Sequence, residues 1–184
     1  MEISAEQAFV DLFFLILFLR VVYIAISRGI LCEIFKAVGL FIATIFAFHY
    51  YFSLGNYVNK KVLFISKEYL YPLCFFLILI SIWGIFSILR LIITLLVVKK
   101  KDVSFPERWL SAFVGWGRAV FLSSVVIFLL HQGPFEPDFF QKTIAYRMFK
   151  NISPKVYLAF FTLYKKVNPK AALNKEIEKY YKAR

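Results

Sequence analysis

Four stretches of this chain, residues 8–26, 30–52, 70–98 and 109–130, are nearly unbroken runs of apolar side chains. A bilayer core about 30 Å thick is crossed by roughly 20 helical residues rising about 1.5 Å each, so every one of these runs is long enough to span it. Strands of a membrane barrel would be roughly half that length and separated by frequent turns. The expected fold class is therefore all-α: a polytopic membrane protein of four transmembrane helices with a short amphipathic helical tail. Composition agrees, since 61% of the 184 residues are apolar and 18% charged, against about 45–50% and 25% in a soluble domain. The expected division is a membrane domain over 1–131 and a basic tail over 132–184.

A formal charge of +12 would suit nucleic acid, but its placement argues for lipid. Lysines and arginines gather at the ends of the apolar runs and in the tail, as membrane anchoring and orientation require. No RNP, zinc-finger or helix-turn-helix pattern occurs, so nucleic acid is not an expected partner. Arg20, Arg28, Lys36, Arg90, Lys99, Lys100, Lys101, Arg108 and Arg118 fall toward one membrane face. Lys60, Lys61, Lys67 and Lys142 fall near the other, the face that carries the N-terminus and the tail. The positive-inside rule then puts both termini outside the cytoplasm, although the further tail cations pull the other way. The acidic start, Glu2 and Glu6, lacks the positive region of a signal peptide, so the first run is expected to remain as a span.

Between spans one and two stands only Ser27-Arg28-Gly29, which predicts a tight helical hairpin. A polar loop is expected from Ser53 through Lys61 to Glu68, and Lys99-Lys100-Lys101-Asp102 ends span three. In the tail, Asp138, Ser153-Pro154 and Asn168-Pro169 read as three helix starts, the last two as a cap followed by proline at the first helical position. Val156, Phe160, Leu163, Tyr164 and Val167 share one face, opposite Lys155, Ala159, Thr162 and Lys166. Such a helix suits the bilayer surface, the side of the bundle, or a small soluble tail domain. Residues 170–184 are polar and expected to fray into water.

Ionisable groups inside a span cost roughly 2.5–3.5 kcal/mol each, so they pair or line a polar route. Asp11, Arg20, Glu33, Lys36, Arg90 and Arg118 are the candidates. Glu33 and Lys36 are three apart and share a helix face. Glu33 is the one acid among the cations at its end, and Arg118 is its expected partner, with Arg90 second. Ser111, Gly115 and Ala119 recur every fourth residue in span four, spacing that lets another backbone come close, within the chain or in a second copy.

Cys32 and Cys74 lie within apolar runs and read as small packing residues. His49, beside Tyr50 and Tyr51, and His131 read as parts of an interfacial belt, with no third residue spaced to complete a metal site. No nucleophile triad, HExxH, phosphate loop or GxGxxG occurs, so neither an enzyme nor a cofactor is expected.

Asp11 near the start of span one, Arg28-Gly29 with Glu33 between spans one and two, and Glu107-Arg108 ahead of Ser111, Gly115 and Ala119 occur in the order and spacing of one family's motifs. Over about residues 8–131 the chain resembles the colicin V production proteins, four-span proteins of the bacterial inner membrane. Their second arginine is replaced here by Cys32, and two of their three span-four glycines by Ser111 and Ala119; Arg118 also looks like a frequent family residue. The resemblance implies an inner-membrane accessory protein in toxin production, secretion or envelope homeostasis, working through the bilayer, an envelope protein partner and possible homo-oligomers. Members fused to a serine protease carry it on the outer side, in keeping with an outside C-terminus. The residues alone leave two alternatives open, a transporter or channel subunit with a route lined by Arg118, Glu33 and Arg90, and a structural scaffold.

Overall fold

A computed structural model describes residues 4–61, 66–97, 104–133, 138–169, 173, 174 and 177. Its described elements are all helical: α1 (Ala5–Arg28), α2 (Ile30–Lys61), α3 (Lys67–Val97), α4 (Phe105–Gln132), α5 (Asp138–Gln141), α6 (Ile144–Phe149) and α7 (Ile152–Val167). The first four are long and apolar enough to cross a membrane. The chain is an all-α, multi-pass integral membrane protein.

α1 begins at a capping box, in which Ser4 Oγ accepts from the Gln7 N–H and the Gln7 side chain accepts from the Ser4 N–H. It ends at Gly29, whose φ of 78° an L side chain rarely adopts. The turn between α1 and α2 is thus as short as expected, but the two helices barely touch. α1 packs along α4, and α2 packs along α3 and, less, α4. The positions of the small residues explain the departure from a packed hairpin. A Cβ built on Gly115 of α4 would lie 2.3 Å from Ala25 Cβ of α1, whereas Cβ atoms on Gly39 and Gly55 of α2 would meet Phe86 and Tyr71 of α3 at 2.8 and 2.5 Å. Close approach, worth most where lipid removes the hydrophobic incentive to associate, is specified between α1 and α4 and between α2 and α3.

α2 also runs on through residues expected to form a loop. Ser53 to Lys61 stay helical because this end still packs on α3: the Phe52 ring stacks on Tyr71 at 5.3 Å, and Tyr71 Oη donates to Asn56 Oδ1 at 3.0 Å. The Lys99–Asp102 stop signal lies outside the described residues.

Beyond α4 the chain turns back onto the bundle. Thr143 Oγ1 caps α6 by accepting from the Tyr146 N–H, and the Asp11 carboxylate of α1 accepts from the N–H groups of Ile144 and Ala145 at 3.2 and 2.9 Å. Ser124 Oγ of α4 donates to the Phe149 carbonyl at 2.6 Å and accepts from the Ser153 N–H at 2.7 Å, holding the end of α6 and the start of α7 at once. Ser153 therefore sits inside α7 rather than capping it, and Asn151 takes the cap position. Asn168 closes α7 by donating its N–H to the Tyr164 carbonyl, the reverse of the start expected there.

One aromatic cluster joins membrane helices and tail. The Phe48 ring lies 4.5 Å from Phe128, 5.2 Å from Phe75 and 5.3 Å from Tyr157, and Phe161 and Ile177 are buried with them. The core therefore crosses residue 131. Asn174 Nδ2 donates to the Phe48 carbonyl at 2.7 Å, so this part of the final segment is packed on α2, not frayed. A buried side-chain amide there donates to a buried backbone carbonyl, as polar groups removed from water require.

Gly115→Leu and Gly117→Leu make the same chemical change on nearly opposite faces of α4. The first must force α1 and α4 apart, at a cost of about 1–3 kcal/mol, while a Cβ at Gly117 meets nothing within 4 Å. Thermal unfolding in detergent should show Gly115→Leu destabilised and Gly117→Leu close to the parent; equal behaviour would remove the α1–α4 contact from the account.

Candidate functional site

The deepest charge in the described bundle is Glu33, in the first turn of α2, with no solvent exposure. It sits at a helix N-terminus, where unpaired N–H groups carry partial positive charge. Lys36, one turn along the same face, pairs with Oε1, and Arg118 of α4 brings Nη2 to 2.8 Å from Oε2. The same Nη2 lies 3.4 Å from the Val21 carbonyl of α1. One acid thus gathers two cations and ties three helices.

Arg90 of α3 lines a small recess with Lys36, Phe86 and Ser87 and makes no ion pair among the described residues. Arg118, not Arg90, takes the second carboxylate oxygen. The other two candidates lie elsewhere. Arg20 is exposed on α1, and Asp11 holds the start of α6 near the N-terminal face. Asp11, Arg20, Glu33, Lys36, Arg90 and Arg118 are therefore not one cluster: the structure brings together Glu33, Lys36 and Arg118, with Arg90 beside them.

The Arg28-Gly29 and Glu107-Arg108 segments meet just above this triad. Glu107 Oε1 accepts from the Ile30 N–H at 3.4 Å, directly after the Gly29 turn, and so serves the first orphan donor of α2. Ser111 Oγ donates to the Glu107 carbonyl at 2.7 Å, while Arg28 and Arg108 point outward and are exposed. Ser111, Gly115 and Ala119 are all buried, and Ser123 continues their stripe one turn further. The four-residue repeat could have revealed Ser123. Nothing in the local sequence announces that Glu107 caps another helix or that Ser124 seats the tail.

His49 and His131 each meet a tyrosine of the tail. His49 Nδ1 is 3.2 Å from Tyr157 Oη and His131 Nδ1 is 3.3 Å from Tyr146 Oη. Burial pushes the Tyr157 hydroxyl up to about 12, partly offset by the Asn174 backbone N–H, so it remains a neutral group able to donate to the imidazole. Among the described residues no three His, Cys, Asp or Glu side chains converge as metal ligands. Cys32 and Cys74 are free thiols; Cys32 Sγ is 3.7 Å from Thr94 Oγ1, and Cys74 is buried.

The colicin V production protein family model matches residues 10–154. The chain belongs to that family. The match runs past the limit of 131 drawn from the motifs and takes in α5, α6 and the start of α7, the same elements that share the membrane core. No curated protein and no solved structure matches the chain. The colicin V production proteins are not a known enzyme family.

The arrangement predicts an asymmetry. Glu33→Gln strands two half-buried cations, whereas Arg118→Gln leaves the fully buried carboxylate its Lys36 partner. Breaking a buried pair costs about 3–5 kcal/mol, so Glu33→Gln should lower accumulation in membranes more than Arg118→Gln, and the double variant should recover part of the loss. Strictly additive losses on quantitative blotting would show that the two do not interact.

Proposed function

We propose that this member of the colicin V production family is a non-conducting accessory protein of the bacterial inner membrane, with both termini outside the cytoplasm. It serves toxin production, secretion or envelope homeostasis through contacts with an envelope protein partner. The observation that carries this reading is the closure of the charged triad. A polar route needs water at its charges, but Glu33 has no exposure and is capped by its own two cations. The groove beside Arg118 is otherwise lined by apolar groups such as Val38, Phe41, Val114 and Phe121. A transport route through Arg118, Glu33 and Arg90 has correspondingly little support.

A scaffold-like role is favoured by what the bundle leaves uncovered. α3 touches little beyond α2, and Ile85, Ile88 and Leu91 on it are more than half exposed. Such a face suits lipid or a partner's span equally well by chemistry. The orientation rests on the cations near the membrane and on the tail sharing the N-terminal face with Asp11.

Two measurements test the reading. In vesicles containing the purified protein, leakage of sodium, potassium and protons should equal that of empty vesicles; protein-dependent flux would establish transport instead. In intact cells, a membrane-impermeant maleimide should label cysteine at exposed Lys60 and spare cysteine at exposed Ser104. Labelling of position 104 alone would invert the topology.

A further inference from the structure

α7 presents three surfaces, only one of which the protein covers. Successive helical residues turn by about 100°, so Ser153, Tyr157 and Phe161 stack on a single face, and all three are buried against the bundle. Val156, Phe160, Leu163 and Val167 fall about a quarter-turn away, and the last three are 40%, 62% and 85% exposed. Lys155, Ala159, Thr162 and Lys166 look away from the bundle and are also exposed. Sequence periodicity groups Tyr164 with the apolar stripe; in the structure it leans back toward Ile45, Phe46 and His49.

The depth of the helix says what the apolar stripe faces. Ser153 is bonded to Ser124, which lies eight residues, about 12 Å of helix, before the end of α4 at Gln132. Tyr157 packs on Phe48, but the Phe160 ring is 6.3 Å from Phe41, a residue about 10 Å further along α2 toward the opposite membrane face. The stripe is therefore aimed at the membrane interior, not at the aqueous side. It continues the exposed apolar surface of α2 formed by Phe41, Phe46 and Tyr50. α7 contains no acidic residue and carries Lys155, Lys165 and Lys166.

We propose that α7 is an interfacial helix of the leaflet on the N-terminal side, with Val156, Phe160, Leu163 and Val167 among acyl chains and its lysines against anionic lipid phosphates. The occupant of the exposed face is lipid. The depth fits a helix whose apolar side sinks about 5–10 Å past the headgroups, and a polar side that carries lysines and no acid complements an anionic surface. Neither point depends on which face of the membrane is cytoplasmic or on what the protein assists.

Spin labels on single cysteines in the full chain, with Cys32 and Cys74 changed to alanine, test this in vesicles of phosphatidylcholine and phosphatidylglycerol. The labelled positions 155, 159, 163 and 167 are all exposed, so none disturbs packing. The ratio of oxygen to nickel-chelate accessibility should be at least about fivefold higher at 163 and 167 than at 155 and 159. Free access of the nickel reagent to 163 and 167 would mean water on that face, and protection from both reagents would mean a protein cover such as a second copy; either overturns the proposal. More phosphatidylglycerol should deepen the label at 163, and indifference to lipid charge would remove the phosphate contact.

Discussion

A carboxylate with no solvent exposure inside a membrane bundle has to be compensated by the geometry of its neighbours. Glu33 meets this demand with Lys36 on its own helix and Arg118 on α4, while the Val21 carbonyl of α1 lies close behind the guanidinium. Three helices must hold their relative rotation for those oxygens and nitrogens to meet. Leucine-rich faces slide past one another with little energetic consequence in lipid; a buried ion pair does not, since misalignment leaves a bare charge. The rest of the bundle is arranged so that this alignment is kept.

Two kinds of packing keep it. At the end near the triad, Gly115 lets α1 ride so close on α4 that Ala25 fills the space of a missing side chain. Toward the other end, Phe48, Phe75, Phe128 and Tyr157 interlock across α2, α3, α4 and α7. Small residues set the α1–α4 distance near the triad, and large rings, with Gly55 against Tyr71, set the spacing toward the other end. Between them Ser124 and Asp11 use single polar groups to seat the tail, where exposed helix ends would otherwise lie against hydrocarbon.

The features legible in the sequence are those fixed by local chemistry. Span length follows from uninterrupted apolar runs, and the meeting of Arg118 with Glu33 follows from having one acid among many cations at one depth. The stripe of Ser111, Gly115 and Ala119 announces a close neighbour, but not that the neighbour is α1. Which helix packs on which is a matter of complementary positions far apart in the chain, such as Ala25 with Gly115 or Gly39 with Phe86. The polar run from Ser53 to Lys61 looks like a loop until Tyr71 is known to reach Asn56. Asp11 likewise reads as one more intramembrane charge until α6 is found with its amides turned toward it.

That α1 and α2 are joined by a single glycine yet find their partners elsewhere bears on how the protein is made. Synthesis delivers α1 and α2 to the membrane first, with the surface of Ala25 still waiting for α4. During that interval Glu33 has only Lys36 for company, a partner built into the same turn and so present from the start. Arg118 arrives with the last span. Its arrival would join α1, until then without its packing partner, to a pair of helices, α2 and α3, whose own contact needs nothing from the last span.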